Sequence, residues 1–463
     1  MQQVALLLCI CYIAWLFFKD VRRRDGLSWS LWSVIIWVMV LGSRPVSTWF
    51  SYGGGGDYDS GNPLERMISF ILMGIGMYAL SKRKVQLTAV LQNNRWLVIF
   101  FGYWALSIVW SDAPFVSLKR WVKDVGNIIM LLVILTEEDP IEAVKAVFVR
   151  CAYILVPFSL VFIKCFSDLG RAYTPVGEMM FTGVTTHKNM LGVLAMVCFL
   201  MLLWDFLDRW KQKDVPRDWI GAATDGSLIM MSVWLLYSAH SSTATACTAV
   251  GLLVFFALGL PAVQARATQL GTYALVIGVG LYALNEMVNL KKIIIVDILG
   301  KDMTLTTRTE VWPMLIELNP SVILGCGFNS FWSGDRLDYV YGQLNIIQAH
   351  NGYLETYLNG GLVGVALLLV LLFATANSIK AEFVMGGELA RIKMMFWVVT
   401  AIYNFTEAGF NKMGIIWFVT LLAIVQSPYG PILGGQSDED GSEEYEFDGL
   451  SAEIPDEPVI RHG

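Results

Sequence analysis

Between Glu355 and Lys380 the chain reads Tyr357-Leu358-Asn359-Gly360-Gly361-Leu362-Val363-Gly364-Val365-Ala366-Leu367-Leu368-Leu369-Val370-Leu371-Leu372-Phe373-Ala374 and onward without a single charged residue. A run of this length crosses the ~30 Å of hydrocarbon in a bilayer. Lipid offers the backbone no hydrogen-bond partners, so a spanning segment must be a helix or part of a closed barrel. The apolar residues here are continuous rather than alternating, which selects the helix. Similar runs recur along nearly the whole chain.

Composition agrees. Of 463 residues, 56% are hydrophobic and only 16% charged, against about a quarter charged in soluble globular chains. The mean hydropathy is +0.56. The expected fold is all-α, a polytopic transmembrane helical bundle. The net charge of −6 is misleading, because ten acidic and no basic residues fall between 438 and 457. Without those ten the chain stands at +4. The spacing predicts a membrane domain over 1–430 and an acidic, disordered tail over 431–463 on the cytoplasmic side. Most of the seven cysteines lie in apolar runs and show no disulfide pattern; Cys165 and Cys326 are the one pair that could share an oxidising side.

Basic residues mark cytoplasmic loops. Three clusters stand out: Arg22 to Arg24, Lys82 to Lys84, and Arg209 with Lys211, Lys213 and Arg217. Counting runs between them gives about twelve to thirteen spans with the N-terminus outside. The short first run, Val4 to Phe18, resembles a signal helix in length, but its basic flank is C-terminal, which argues for a retained span. The external segments then hold Asp57-Tyr58-Asp59, Ser111 to Lys123, Lys164 to Asn189, a tight turn at His240, and one large periplasmic loop over 288–355.

Three of the four histidines, His187, His240 and His350, fall at external helix ends. Lys119, Arg120, Lys123, Arg171, Lys188 and Arg308 lie on the same side, against the usual charge bias. Cations so placed suit an anionic ligand, such as a lipid bearing a diphosphate, because arginine grips phosphate with two parallel hydrogen bonds. They equally suit a solvated surface, the better account of Lys291 and Lys292. Asn189 opens a span, where it serves as an N-cap or adds to the pull of a helix N-terminus on phosphate.

The stretch from Thr307 to Gly364 is richest in signals. Arg308 precedes Glu310 and Trp312, Gly325 and Gly327 suit a tight turn or close backbone approach, and Ala349-His350-Asn351-Gly352 leads into the span quoted above. His350 therefore belongs at the water–membrane boundary. Histidine's ordinary pKa lies near neutrality, so it is the natural group to take a proton from a sugar hydroxyl; a boundary histidine also serves structure alone. Glu310 either orients Arg308 or caps the helix that starts near Thr309.

These pieces together resemble the O-antigen ligase and polysaccharide polymerase family of bacterial inner-membrane proteins. The family shows an arginine before a Trp-containing helix (Arg308, Trp312), a Gly-x-Gly-x-x-x-Phe turn (Gly325 to Phe331), His-Asn-x-Tyr-Leu (His350 to Leu354) and a Gly-Leu-x-Gly span (Gly361 to Gly364). Trp110-Ser111-Asp112, Ser117 to Arg120, Gly170 to Tyr173 and His187 to Gly192 look like the exopolysaccharide polymerase (ExoQ-type) branch. The resemblance covers most of 95–425. It implies a GT-C-like glycosyltransferase that uses a sugar chain on undecaprenyl diphosphate as donor, without a metal or other cofactor. His350 would be the general base on the acceptor hydroxyl and Arg308 would hold the donor diphosphate. Where ligases carry Ser-Arg, this chain reads Ala239-His240-Ser241, so Arg120, Lys123, Arg171 or Lys188 would supply the second cation, with Asn351, Glu310, His187, Asn189 and His240 in support.

The resemblance thus implies polymerisation of lipid-linked repeat units at the periplasmic face of the inner membrane, with membrane lipid and a chain-length regulator or other assembly proteins as partners and no nucleic acid. A ligase that moves a finished glycan to lipid A core or another acceptor is the alternative of the same class. A lipid-linked sugar transporter is the alternative of another class, but it would bury ionisable groups along a path. The spans read as poor in such groups, with Arg150 and Glu286 as the exceptions. Asp57 and Asp59 resemble the metal-binding carboxylates of other GT-C enzymes, and equally suit a soluble Gly-rich turn.

Overall fold

The computed structural model describes residues 1–24, 26–49, 62–174, 177–211, 218–269, 271, 308–344 and 346–432, without the side chains of 308–310. The architecture is all-α. Its main helices are α1 (Gln2–Arg23), α2 (Leu31–Gly42), α3 (Pro63–Lys82), α4 (Arg95–Ser107), α5 (Pro114–Leu135), α6 (Pro140–Cys165), α7 (Lys188–Lys211), α8 (Trp219–Ser238), α9 (Ser242–Ala257), α10 (Arg308–Glu317), α11 (Gly334–Leu344), α12 (Gly352–Val384), α13 (Leu389–Tyr403) and α14 (Ile415–Ile424). Among the described residues the one sheet is a hairpin in which Arg171–Tyr173 pairs antiparallel with Met179–Phe181.

Six described helices, α1, α3, α6, α7, α8 and α12, are long and apolar enough to cross a membrane. Shorter apolar helices include α2, α9 and α14. Local sequence sets their limits. Asp139 accepts hydrogen bonds from the Ile141 and Glu142 amides, and Pro140 occupies the first turn of α6. Helices α6, α7 and α14 form the core, with Phe148, Met196, Trp417 and Phe418 nearly or wholly buried. Helix α1 turns Leu7, Leu8, Trp15 and Phe18 outward, as a helix against lipid does. The seven cysteines are all free, so Cys165 and Cys326 are not bridged.

One arginine from each basic cluster, Arg24, Arg83 and Arg209, is held in ion pairs at one end of the bundle. Arg24 pairs with Asp20 at 3.0 Å, with Asp205 at 2.6 Å and with Glu142. Arg209 pairs with Asp205 at 2.8 Å and Asp225 at 2.6 Å. Arg83 donates to Ser28 at 2.8 Å and pairs with Glu137.

One expectation needs correction. The helices are not poor in ionisable groups: Asp20, Arg150, Asp205 and Asp225 are all buried, and Arg150 Nε lies 2.7 Å from Asp20 Oδ2. Of these the sequence singled out Arg150 alone; helix packing draws all four inward, where opposite charges compensate them near that end. Glu286 and the acidic tail lie outside the described residues.

Candidate functional site

At the end of the bundle away from the basic clusters, the sequence Ala349-His350-Asn351 forms a sharp turn before α12. His350 has a positive φ of 51°, and Asn351 caps the helix by accepting from the Tyr353 and Leu354 amides, both at 3.0 Å. The turn is clamped from three directions. Trp312 of α10 donates its indole N–H to the Ala349 carbonyl at 3.0 Å. Glu355 accepts the Ala349 amide at 2.8 Å, the Trp332 indole at 2.8 Å and the Lys412 ammonium at 3.1 Å. The Gly352 amide donates to the carbonyls of Asn404 at 2.8 Å and Glu407 at 3.0 Å.

The His350 imidazole is partly exposed, and its Nδ1 lies 3.0 Å from Glu407 Oε2. Glu407 is buried, and its Oε1 accepts from the Asn189 side chain at 2.9 Å. The amide of Gln348 lies against the imidazole, with Nε2 3.2 Å from Nδ1 and 3.5 Å from Nε2. Lys412 approaches the Gln348 oxygen at 3.5 Å. His187 caps α7 by accepting the Asn189 amide on Nδ1 at 3.2 Å. Burial holds the His187 pKa below its ordinary value; the Lys188 charge adds to this, Glu407 opposes it, and His350 adds slightly.

The glycine turn shapes the same rim. Gly325 and Gly327 both have positive φ, and a Cβ on Gly325 would meet Asn359 backbone at 2.4 Å. This close approach lets the Cys326 and Gly327 amides reach the Leu358 and Asn359 carbonyls at 3.2 and 2.8 Å. Helix α12 is itself broken at Gly361, where φ is 59° and ψ −160°. There the Leu362 and Val363 amides turn to the Val322 and Ile323 carbonyls. The buried Cys326 thiol, pushed up to about 12 chiefly by desolvation, is an inert hydrophobe rather than a nucleophile.

His350, His187, Lys188, Asn189 and Asn351 come together. Arg120 donates to the Asn329 carbonyl, and Asn329 in turn donates to the Asn411 carbonyl at 2.9 Å, beside Lys412. Arg171 is turned to the Ile163 carbonyl at 3.0 Å and lies over the Phe181 ring. Lys123 lies within α5, where its charge interacts with Glu65 of α3. His240 is exposed beside Tyr237, ring centroids 5.8 Å apart. Asn189 is not the cap of α7, since His187 takes that place by accepting the Asn189 backbone N–H, and the Asn189 side chain donates to Glu407 instead. The backbones of Arg308 and Glu310 form the first turn of α10; their side chains, and Asp57 to Asp59 with Lys291 and Lys292, lie outside the described residues.

Sequence reasoning missed Glu407, Glu355 and Lys412. Glu407 and Lys412 occur in Asn404-Phe405-Thr406-Glu407-Ala408-Gly409-Phe410-Asn411-Lys412, a polar interruption between apolar runs whose density of Asn, Glu and Lys was the available signal. Among the described residues no group of three or more His, Cys, Asp or Glu stands close enough to hold a metal ion.

A mainly helical membrane bundle with this histidine rim defines a class of protein, and two comparisons show what the chain is similar to. Residues 226–369, a span containing Arg308, the glycine turn and His350, match the family model described as O-antigen ligase. The chain is also similar to the exopolysaccharide production protein ExoQ of Rhizobium meliloti (strain 1021), 26% identical over 289 residues, which is 60% of this chain and 63% of that protein. The match therefore spans under two thirds of the relative's length. Together the two matches bear out the resemblance to the O-antigen ligase and polysaccharide polymerase family and its ExoQ-type branch. The protein is a multi-pass membrane protein.

Proposed function

We propose that the protein polymerises undecaprenyl-diphosphate-linked oligosaccharide repeat units into exopolysaccharide at the periplasmic face of the inner membrane, with 1–430 as the catalytic membrane domain. The observation that carries this is His350: a partly exposed imidazole against Glu407, on a turn clamped from three directions, at the end of the bundle opposite Arg24, Arg83 and Arg209. Lys188 and Lys412 stand near it, on α7 and before α14.

The reaction follows from the charges. The acceptor hydroxyl oxygen attacks the anomeric carbon of the donor sugar while His350 takes its proton. The bond between that carbon and the diphosphate oxygen breaks, and its electron pair leaves on the lipid diphosphate. Attack opposite the leaving group inverts the anomeric centre. Negative charge on the leaving diphosphate is greatest late in the step, so fixed cations stabilise the transition state more than the ground state. Arg308, Arg120, Lys188 and Lys412 are the groups we assign to that task. The ExoQ similarity supports the polymer product. A chain-length regulator is the expected partner.

The family model's description favours a second reading, ligation of a finished glycan to another acceptor. Purified protein incubated with lipid-linked oligosaccharide, extracted from cells deleted for this gene, separates the two: polymerisation gives a ladder, ligation a single shifted product. His350→Ala and Arg308→Ala that reach the membrane should make neither. Full wild-type product from both variants rejects the reading.

A further inference from the structure

We infer that Glu407, held in place by Asn189, is a positioning residue that fixes the His350 imidazole with its hydrogen on Nδ1 and leaves Nε2 as the proton acceptor. This rests on the reading of His350 as the base, and it assigns Glu407 a role that neither the motifs nor the comparisons give it.

An ionised carboxylate only accepts hydrogen bonds. Glu407 Oε2, at 3.0 Å from Nδ1, is a charged and shorter contact than the Gln348 amide nitrogen at 3.2 Å. It therefore calls for a hydrogen on Nδ1, and in a neutral imidazole Nε2 is then the acceptor. The second oxygen is also engaged: Asn189 donates to Oε1 at 2.9 Å. That fixes rotation of the carboxylate, which a single contact would leave free.

The pair is also built into the main chain. The Glu407 carbonyl accepts the Gly352 amide at 3.0 Å, two residues beyond His350, and the Asn404 carbonyl accepts the same amide at 2.8 Å. Gly352 has no room for a side chain, since a Cβ there would lie 1.9 Å from Asn404 Oδ1. Asn404 Oδ1 is itself occupied by the Gly409 and Phe410 amides at 2.8 and 3.0 Å. The loop that carries Glu407 is thus locked to the turn that carries His350 at backbone level, and the carboxylate–imidazole contact follows from that docking.

During transfer the imidazole becomes an imidazolium, and the adjacent carboxylate stabilises the charge as well as the orientation. Asn189 links this pair to the His187-Lys188-Asn189 segment at the start of α7. That explains why two motifs so distant in sequence serve one site.

The test uses the full-length protein in detergent, with nitrogen-15 in its histidine rings and the His350 signals assigned by their loss in His350→Gln. Wild type should show Nδ1 protonated and Nε2 as acceptor. Glu407→Gln should lose that preference and lower kcat about 10²-fold or more, with KM within a few-fold. Glu407→Asp should recover part of the rate, and Asn189→Ala should lower kcat less, by about 10-fold. If Glu407→Gln does not accumulate, Asn189→Ala and the wild-type ring signals carry the test. A wild-type ring protonated on Nε2, or an unchanged tautomer and rate in Glu407→Gln, overturns the inference. If the tautomer behaves as inferred while His350→Ala retains full transfer, the positioning stands and the base assignment falls.

Discussion

Asn189 and Glu407 are 218 residues apart in the chain, yet the amide nitrogen of one lies 2.9 Å from a carboxylate oxygen of the other. The contact ties the start of α7 to the loop after α13, and through Glu407 to His350 at the start of α12. Three helix ends are thereby brought to a single rim.

The break in α12 should be intolerant of side chains. Gly361 has φ 59° and ψ −160°, and a Cβ there would sit 2.2 Å from the Ile323 backbone. Left-handed backbone alone costs about 1–3 kcal/mol for other residues, and the clash adds to it. Gly361→Ala should unfold at markedly lower temperature in detergent than Gly364→Ala, whose added Cβ meets its nearest neighbour at 3.4 Å. Equal melting temperatures would contradict the described kink.

Glu355 should matter more than its place on an apolar helix implies. Its carboxylate accepts the buried Ala349 amide, the Trp332 indole and Lys412. Glu355→Ala leaves the buried Ala349 amide and Trp332 indole unpaired at about 1–3 kcal/mol each, whereas Glu355→Gln keeps one oxygen as acceptor. Thermal unfolding should rank wild type above Gln and Gln above Ala. Transfer activity should fall in the same order, because the clamp places His350.

Acidification should weaken the fold partly through His187. Its pKa is lowered from 6.5, first by desolvation and then by the Lys188 charge. The unfolded chain therefore binds the proton more readily than the folded one. Stability rises with pH through that window and is lost as pH falls below the unfolded value of 6.5. Comparing unfolding at several pH values between about 5.5 and 7.5, His187→Gln should show a shallower decline than wild type. Identical slopes would mean that His187 titrates as it does in water.

The other end of the bundle gives a stability test independent of catalysis. Asp20 is fully buried and meets Arg24 at 3.0 Å and Arg150 at 2.7 Å. Removing one partner of a buried ion pair costs about 3–5 kcal/mol, because the remaining charges stay behind. Asp20→Ala should lower the unfolding temperature of the purified protein strongly, and a change within error would show that water already solvates those guanidiniums.

Linear order by itself determined the helical, membrane-embedded class, since apolar run length and the need to satisfy backbone hydrogen bonds are local properties. It also marked His350, His187, Asn189 and the Gly325–Gly327 turn, whose residue types carry their chemistry or backbone freedom with them. Tertiary structure alone decided that Glu407 meets His350, that Asn189 serves that carboxylate instead of capping α7, and that Arg24, Arg150 and Arg209 compensate Asp20, Asp205 and Asp225 inside the bundle. It also turned Arg171, Lys123 and His240 to other neighbours. The reason is physical: whether a charged side chain is a partner, a cap or a solvated surface depends on which helix ends pack beside it, and no local pattern encodes that.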